Sequence, residues 1–151
     1  MGHIARSVEI DATPQRVFER LIDLDRLPEW ATIVARTDDA PERRLRAGDT
    51  FRQTIRVAGR ELETSWHVDA LKPPRSVLYR ATSPEGGHLQ MRQTVKGQGH
   101  GRSRVEFDID YTLPGGILAT VMDHLLLERA NEHEAERSLQ NLKHLVESTS
   151  E

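Results

Sequence analysis

Residues 103–116 read SRVEFDIDYTLPGG, and the rest of the chain is best read outward from this stretch. Val105, Phe107, Ile109, Tyr111 and Leu113 fall on one side of an extended segment; Glu106, Asp108 and Asp110 fall on the other. Side chains along a strand alternate between faces, so this is a strand with one apolar and one wet face, as in an antiparallel sheet. Pro114-Gly115-Gly116 ends it. From about Ile117 to Glu147 the period becomes helical, with Leu118, Val121, Leu125, Leu139, Leu142 and Val146 on one stripe. No other expected element is long enough to cross a whole sheet.

Upstream, the text from Ala31 to Leu113 is broken by turn signals: Asp38-Asp39-Ala40-Pro41, Ala58-Gly59, Pro73-Pro74, Pro84-Glu85-Gly86-Gly87 and Gly97 to Gly101. Six strands fit between them, near 32–38, 49–58, 61–71, 76–82, 88–96 and 103–113. Phe51, Gln53, Ile55 and Val57 share a face, as do Leu62, Thr64, Trp66 and Val68. A seventh strand opens the chain at 3–11, with Ile4, Val8 and Ile10 on its apolar side. Thr13-Pro14 then starts a short helix, because Thr13 can cap it and the missing N–H of Pro14 costs nothing in the first turn. A second helical turn is expected over Arg26 to Trp30. The fold class is therefore α+β in one domain, residues 1–151. A curved seven-stranded antiparallel sheet surrounds a long C-terminal helix, with two short helices after the first strand. Where sheet and helix diverge, a gap suited to a ligand is expected.

Composition narrows the function. The chain has no cysteine, which removes disulfides, thiolate zinc sites and cysteine nucleophiles. Its net charge is −3 with both signs interspersed, so no basic tract is available for nucleic acid. The opening MGHIARSVEI is too polar for a signal peptide, and no apolar run approaches the roughly 20 residues of a bilayer span. A cytoplasmic protein without stable membrane insertion is expected, either monomer or homodimer. Gly97-Gln98-Gly99-His100-Gly101 lies between strands and opens no helix, so it reads as a hairpin loop and not a phosphate cradle.

Several residues have the chemistry of a ligand site. Gln53, Thr64, Trp66, Met91, Gln93, Phe107 and Tyr111 lie on faces assigned inward. Together they describe an apolar wall with a few hydrogen-bonding groups and an aromatic plate, although a core with satisfied polar side chains has the same pattern. The facing of Tyr79 is left open. Trp30 is expected to pack the short helices against the rest of the fold. On the long helix, Glu132 falls between Leu125 and Leu139 in the apolar stripe, with Glu128 one turn earlier and Arg129 three residues before it. A carboxylate there is either directed into the cavity roof or paired with Arg129 where the sheet ends. Val121, Leu125 and Glu128 join the expected lining. His124, Glu128 and Glu132 have metal-ligand spacing, but helical surfaces rich in Glu and His produce such triplets by chance, and neither a metal nor any other cofactor is expected.

The chain resembles the START-like (SRPBCC) superfamily, in its polyketide cyclase/dehydrase-like branch. The resemblance is carried by Val8-Glu9-Ile10-Asp11-Ala12-Thr13-Pro14, Val17-Phe18, Asp23-Leu24-Asp25, Leu27-Pro28-Glu29-Trp30, Tyr111-Thr112-Leu113-Pro114-Gly115-Gly116 and Leu139-Gln140-Asn141-Leu142-Lys143. It implies a helix-grip fold of bacterial type and an internal cavity for a small hydrophobic molecule. It also implies two functions: aromatase/cyclase-like ring closure and dehydration, or carriage or sensing of a lipid, quinone or isoprenoid. For the first, Glu132 or Tyr111 would move a proton and Arg129 would stabilise an enolate.

Overall fold

The computed structural model describes residues 2–120 and 123–148. Its elements are β1 (Gly2–Ile10), α1 (Pro14–Leu21), a 3-10 helix (Leu24–Glu29), β2 (Val34–Asp38), β3 (Thr50–Val57), β4 (Arg60–Lys72), β5 (Ser76–Thr82), β6 (His88–Gly99), β7 (Arg102–Thr112), α2 (Gly115–Thr120) and α3 (His124–Glu147). The strands form one antiparallel sheet in the order β1-β7-β6-β5-β4-β3-β2. This is the expected helix-grip α+β fold.

Alternation along the strands sets the two faces. Val105 faces Val8 on one side and Val95 on the other, all buried, so β1, β7 and β6 share one apolar row. A second row runs Ile4, Ile109, Met91, Tyr79, Val68. That register turns Tyr79 inward, where it is buried. The outer face carries the charges: His67 and Arg80, for instance, both reach Asp69. Two hairpins turn at Ala58-Gly59 and His100-Gly101, all four in the left-handed region, which matches the twist of the strands they join. β6 therefore runs on to Gly99, past the expected loop beginning at Gly97.

The order of the sheet leaves β1 and β2 as its two edges, and α3 lies between them. On the β1 side, Arg6 Nε donates to Glu136 Oε1 at 2.9 Å, Lys143 Nζ to the Glu9 carbonyl at 2.9 Å, and the Asp11 amide to Glu147 Oε2 at 2.8 Å. On the β2 side, the Thr32 amide donates to Ser138 Oγ at 3.0 Å and Asn141 Nδ2 to the Trp30 carbonyl at 3.3 Å. α1 packs on β6, β7 and α3 through Val17, Phe18 and Leu21 and closes one end of the curved sheet.

The single helix expected over 117–147 is two. Asp123 takes an extended conformation and its side chain accepts from the Leu126 amide, which starts α3 afresh. The expected apolar stripe is interrupted at this break. In α3 the buried positions are Ala135, Ser138, Leu139, Leu142 and Val146, while Leu125 and Leu126 are 56% and 63% exposed. Leu125 thus lies outside the core it was expected to join.

Two measurements test this account. Replacing Asp123 with Ala should cost about 1 kcal/mol of stability in urea unfolding, the usual worth of such a cap. Asp49 accepts from both Arg43 Nη atoms at 2.9 and 2.8 Å and from the Arg46 amide at 2.7 Å; Arg43 chiefly holds its carboxyl below the ordinary value of 3.8. A carboxyl lowered on folding stabilises above its unfolded pKa and loses that contribution as pH falls through the folded value. Asp49→Asn should therefore destabilise at pH 7, and its deficit against wild type should shrink below pH about 4.

Candidate ligand cavity

Between the concave face of the sheet and α3 lies a cavity of about 180 Å³. It exceeds the roughly 150 Å³ in which an apolar protein interior accommodates a benzene ring. Three aromatic side chains form one wall. Phe51 stacks on Trp66 with ring centroids 5.9 Å apart, and Tyr79 meets both edge-on at 6.0 and 5.6 Å. Trp30 and Phe107, with centroids 6.2 Å apart, form the facing part. The lining grades from buried residues to half-exposed Leu89, Met91, Tyr111 and Leu113, then to exposed Thr82 and His88. The β5–β6 hairpin and the β7–α2 turn thus frame the mouth, at the end away from α1.

Polar groups in the lining fall into three sets. Trp66 Nε1 donates to Thr64 Oγ1 at 2.8 Å, which donates to the Gln53 carbonyl at 2.8 Å; Gln53 Nε2 donates to Thr37 Oγ1 at 3.3 Å. This chain is satisfied within the protein. Near the mouth, Asn131 Nδ2 donates to the Tyr111 hydroxyl at 3.1 Å, and Glu134 follows one helical turn later. Tyr111 lies across Gly2, its cross-strand partner, so closely that any Cβ there would enter its ring. The third set is Trp30 Nε1 and Gln93 Oε1, buried atoms without a hydrogen-bond partner among the described residues. The described lining contains no lysine or arginine. Burial raises the Tyr79 hydroxyl pKa well above its ordinary value, so that group stays neutral.

Of the residues singled out from sequence, Trp30, Gln53, Thr64, Trp66, Met91, Gln93, Phe107 and Tyr111 line the cavity. Glu128, Arg129 and Leu125 are exposed and outside the lining, and Val121 lies outside the described residues. Glu132 is also outside the lining: its Oε1 is 3.4 Å from Arg6 Nη2. Arg6 belongs to the inner face of an edge strand, alternating with Ile4 and Val8, and it draws Glu132 to the rim. Neither the cavity roof nor a pair with Arg129 describes its place. The α3 residues that do reach the cavity are Asn131, Glu134, Ala135 and Ser138. Counting back from Leu142 alone, in steps of four, three and four, gives Ser138, Ala135 and Asn131. That signal was in the sequence, masked by Leu118, Val121 and Leu125.

A curved sheet gripping a helix over an apolar cavity defines a helix-grip ligand-binding fold. The model of the family described as "Polyketide cyclase / dehydrase and lipid transport" matches residues 1–147, and the chain belongs to that family. No curated protein sequence matches it significantly. Among solved structures, the Zhui aromatase/cyclase from Streptomyces sp. R1128 is similar at 18% identity and a TM-score of 0.73, covering 97% of this chain and 93% of that one. A START superfamily protein from Mycobacterium smegmatis is similar at 14% identity and a TM-score of 0.73, over 98% and 99% of the two chains. A Thermus thermophilus protein reaches 21% identity and a TM-score of 0.73, over 99% and 100%. These likenesses establish the fold. No described helix is long and apolar enough to cross a membrane.

The placement of Glu132 can be tested against that of Met91. Glu132→Gln should cost less than about 1 kcal/mol, as expected for an exposed pair, and should leave the affinity for N-phenyl-1-naphthylamine unchanged. Met91→Arg, at the mouth, should abolish binding of the same fluorescent probe while the far-UV circular dichroism spectrum is retained.

Proposed function

We propose that this protein binds a small, uncharged, largely hydrophobic molecule in the cavity, and that its most specific activity is cyclisation and dehydration of a polyketide-like chain. The observation that carries the first part is the apolar, aromatic-walled space open at one end. Confinement there would hold a flexible chain in one folded conformation, and orientation of this kind contributes several kcal/mol to a ring closure.

The enzyme reading draws on the mouth. In an intramolecular aldol closure, an acidic methylene loses a proton and its carbon bonds to a ketone carbon. The carbonyl oxygen becomes a hydroxyl by taking a proton. Elimination then removes a second α-proton, breaks the C–O bond and releases one water. Tyr111, oriented by Asn131, is assigned as the donor to the developing alkoxide, and Glu134 as the base that takes the carbon-bound proton. Glu134 takes the role first expected of Glu132. The described lining has no lysine or arginine to stabilise an enolate, and Arg129 lies outside it.

A non-catalytic carrier or sensor of a lipid, quinone or isoprenoid needs the same space without a positioned acid or base. It is favoured by the chain from Trp66 to Thr37, which turns most polar groups of the sheet wall toward one another. Turnover of a poly-β-keto thioester of N-acetylcysteamine separates the two readings. Tyr111→Phe should lower turnover by roughly 10²-fold or more, the usual worth of general acid catalysis, with affinity held within about threefold. Absent turnover in the wild type, together with a lipid or quinone retained in native mass spectra from the original host, would leave the carrier in its place.

A further inference from the structure

Trp30 and Gln93, two residues in the described cavity lining, each carry a buried polar atom, Nε1 and Oε1. They are 3% and 4% exposed, so water does not satisfy them from outside. The Trp30 indole N–H can only donate, and the Gln93 Oε1 can only accept. Neither has a hydrogen-bond partner among the described residues. The Gln93 amide is oriented by Met91: its Nε2 lies 3.7 Å from the Sδ, a weak acceptor, which leaves Oε1 to the cavity. Buried polar atoms left in this state are expensive, and a fold that keeps two of them needs a reason.

Their surroundings supply one. Gln93 is the direct cross-strand partner of Phe107, on the same face of the sheet. The Trp30 ring packs on the Phe107 ring. An unused donor and an unused acceptor thus flank one aromatic side chain, at the buried end of the cavity and remote from Thr82 and His88 at its mouth. One neutral group satisfies both: a hydroxyl, which accepts from an N–H and donates to a carbonyl. A carboxylate would accept from Trp30 but would face the Gln93 oxygen with a second lone pair. It would also be buried with no lysine or arginine in the described lining to neutralise it.

The geometry points to a hydroxyl-reading subsite beside Phe107, formed by Trp30 Nε1 and Gln93 Oε1. It selects neutral hydroxyl-bearing ring compounds, such as phenols and enolised ketones, over their hydrocarbon and carboxylate counterparts. This selectivity rests on the cavity-binding reading above. It also orients the ligand: the hydroxyl-bearing ring enters first, and the part to be transformed or released lies toward Tyr111 and Asn131.

The test is calorimetric titration of the full chain with 1-naphthol, naphthalene and 1-naphthoate. A site built to hydrogen-bond a hydroxyl penalises the analogue that lacks it, because the site's own groups then stay unpaired. Wild type should bind 1-naphthol at least about fivefold more tightly than naphthalene, the worth of one net hydrogen bond, and 1-naphthoate more weakly than 1-naphthol. Gln93→Leu and Trp30→Phe should each shrink the naphthol preference by about threefold or more while naphthalene affinity holds or rises. Gln93→Leu should also raise the melting temperature of the unliganded protein, since it removes an unpaired buried amide. Equal naphthol and naphthalene affinities in the wild type would overturn the subsite and leave the cavity reading standing. So would a preference that survives both substitutions, or a lower melting temperature for Gln93→Leu. Failure of all three probes to bind up to their solubility limits would overturn the cavity reading and the subsite with it.

Discussion

The structure depends on α3 being tied to the β1 edge of one curved sheet and to the Trp30–Thr32 segment that leads into β2. β1 and β2 are the two edge strands, at opposite ends of the strand order. α3 is tied to the β1 side by Arg6, the Glu9 carbonyl and the Asp11 amide, and to the β2 side by Thr32 and the Trp30 carbonyl. These ties convert an open sheet into a half-barrel of fixed curvature. They also hold the helix off part of the concave wall. One helix about 10 Å across cannot fill a concavity seven strands wide, and the residual space is the cavity.

The contents of that space follow from the same constraint. Toward the C-terminal half of α3, Leu139, Leu142 and Val146 are buried in the core and outside the cavity lining. One wall of the cavity is aromatic: Phe51, Trp66 and Tyr79 fill volume with few rotatable bonds and hold one another in stacked and edge-on contacts. On this wall Trp66, Thr64 and Gln53 are linked in sequence to Thr37, so these groups stiffen the wall instead of addressing a ligand. What remains for recognition is sparse and spatially divided, with Trp30 and Gln93 at depth and Tyr111, Asn131 and Glu134 near the mouth.

The acidic groups of α3 show how small a rotation decides a site. Glu132 and Glu134 are two residues apart, about 200° around the helix. Arg6 pairs with Glu132 at the rim, while Glu134, whose Oε2 is 3.5 Å from Arg137 Nη1, borders the cavity. Asp123 begins a new helix, so Leu118 does not share the register of α3; Leu125 does, but it lies in the first turn, ahead of the buried positions that begin at Ala135. Leu125 and Leu126, in that first turn, are exposed.

The sequence by itself determined the sheet, its facing and the sheet-borne part of the cavity. A period of two is local: once Val105 and Phe107 face inward, the pleat dictates Ile109 and Tyr111, and turn residues locate each reversal. Gln53, Thr64, Trp66, Met91, Gln93 and Phe107 were legible for that reason. Only the tertiary structure decided which helical residues meet the sheet, because that depends on where α3 restarts and on how Arg6, Thr32 and Asn141 rotate it between the two edges. Only the tertiary structure, too, divided polar residues of like appearance into those already satisfied and those left unpaired. Hydrogen-bond satisfaction is a property of positions brought together from distant parts of the chain, and no spacing along one strand can express it.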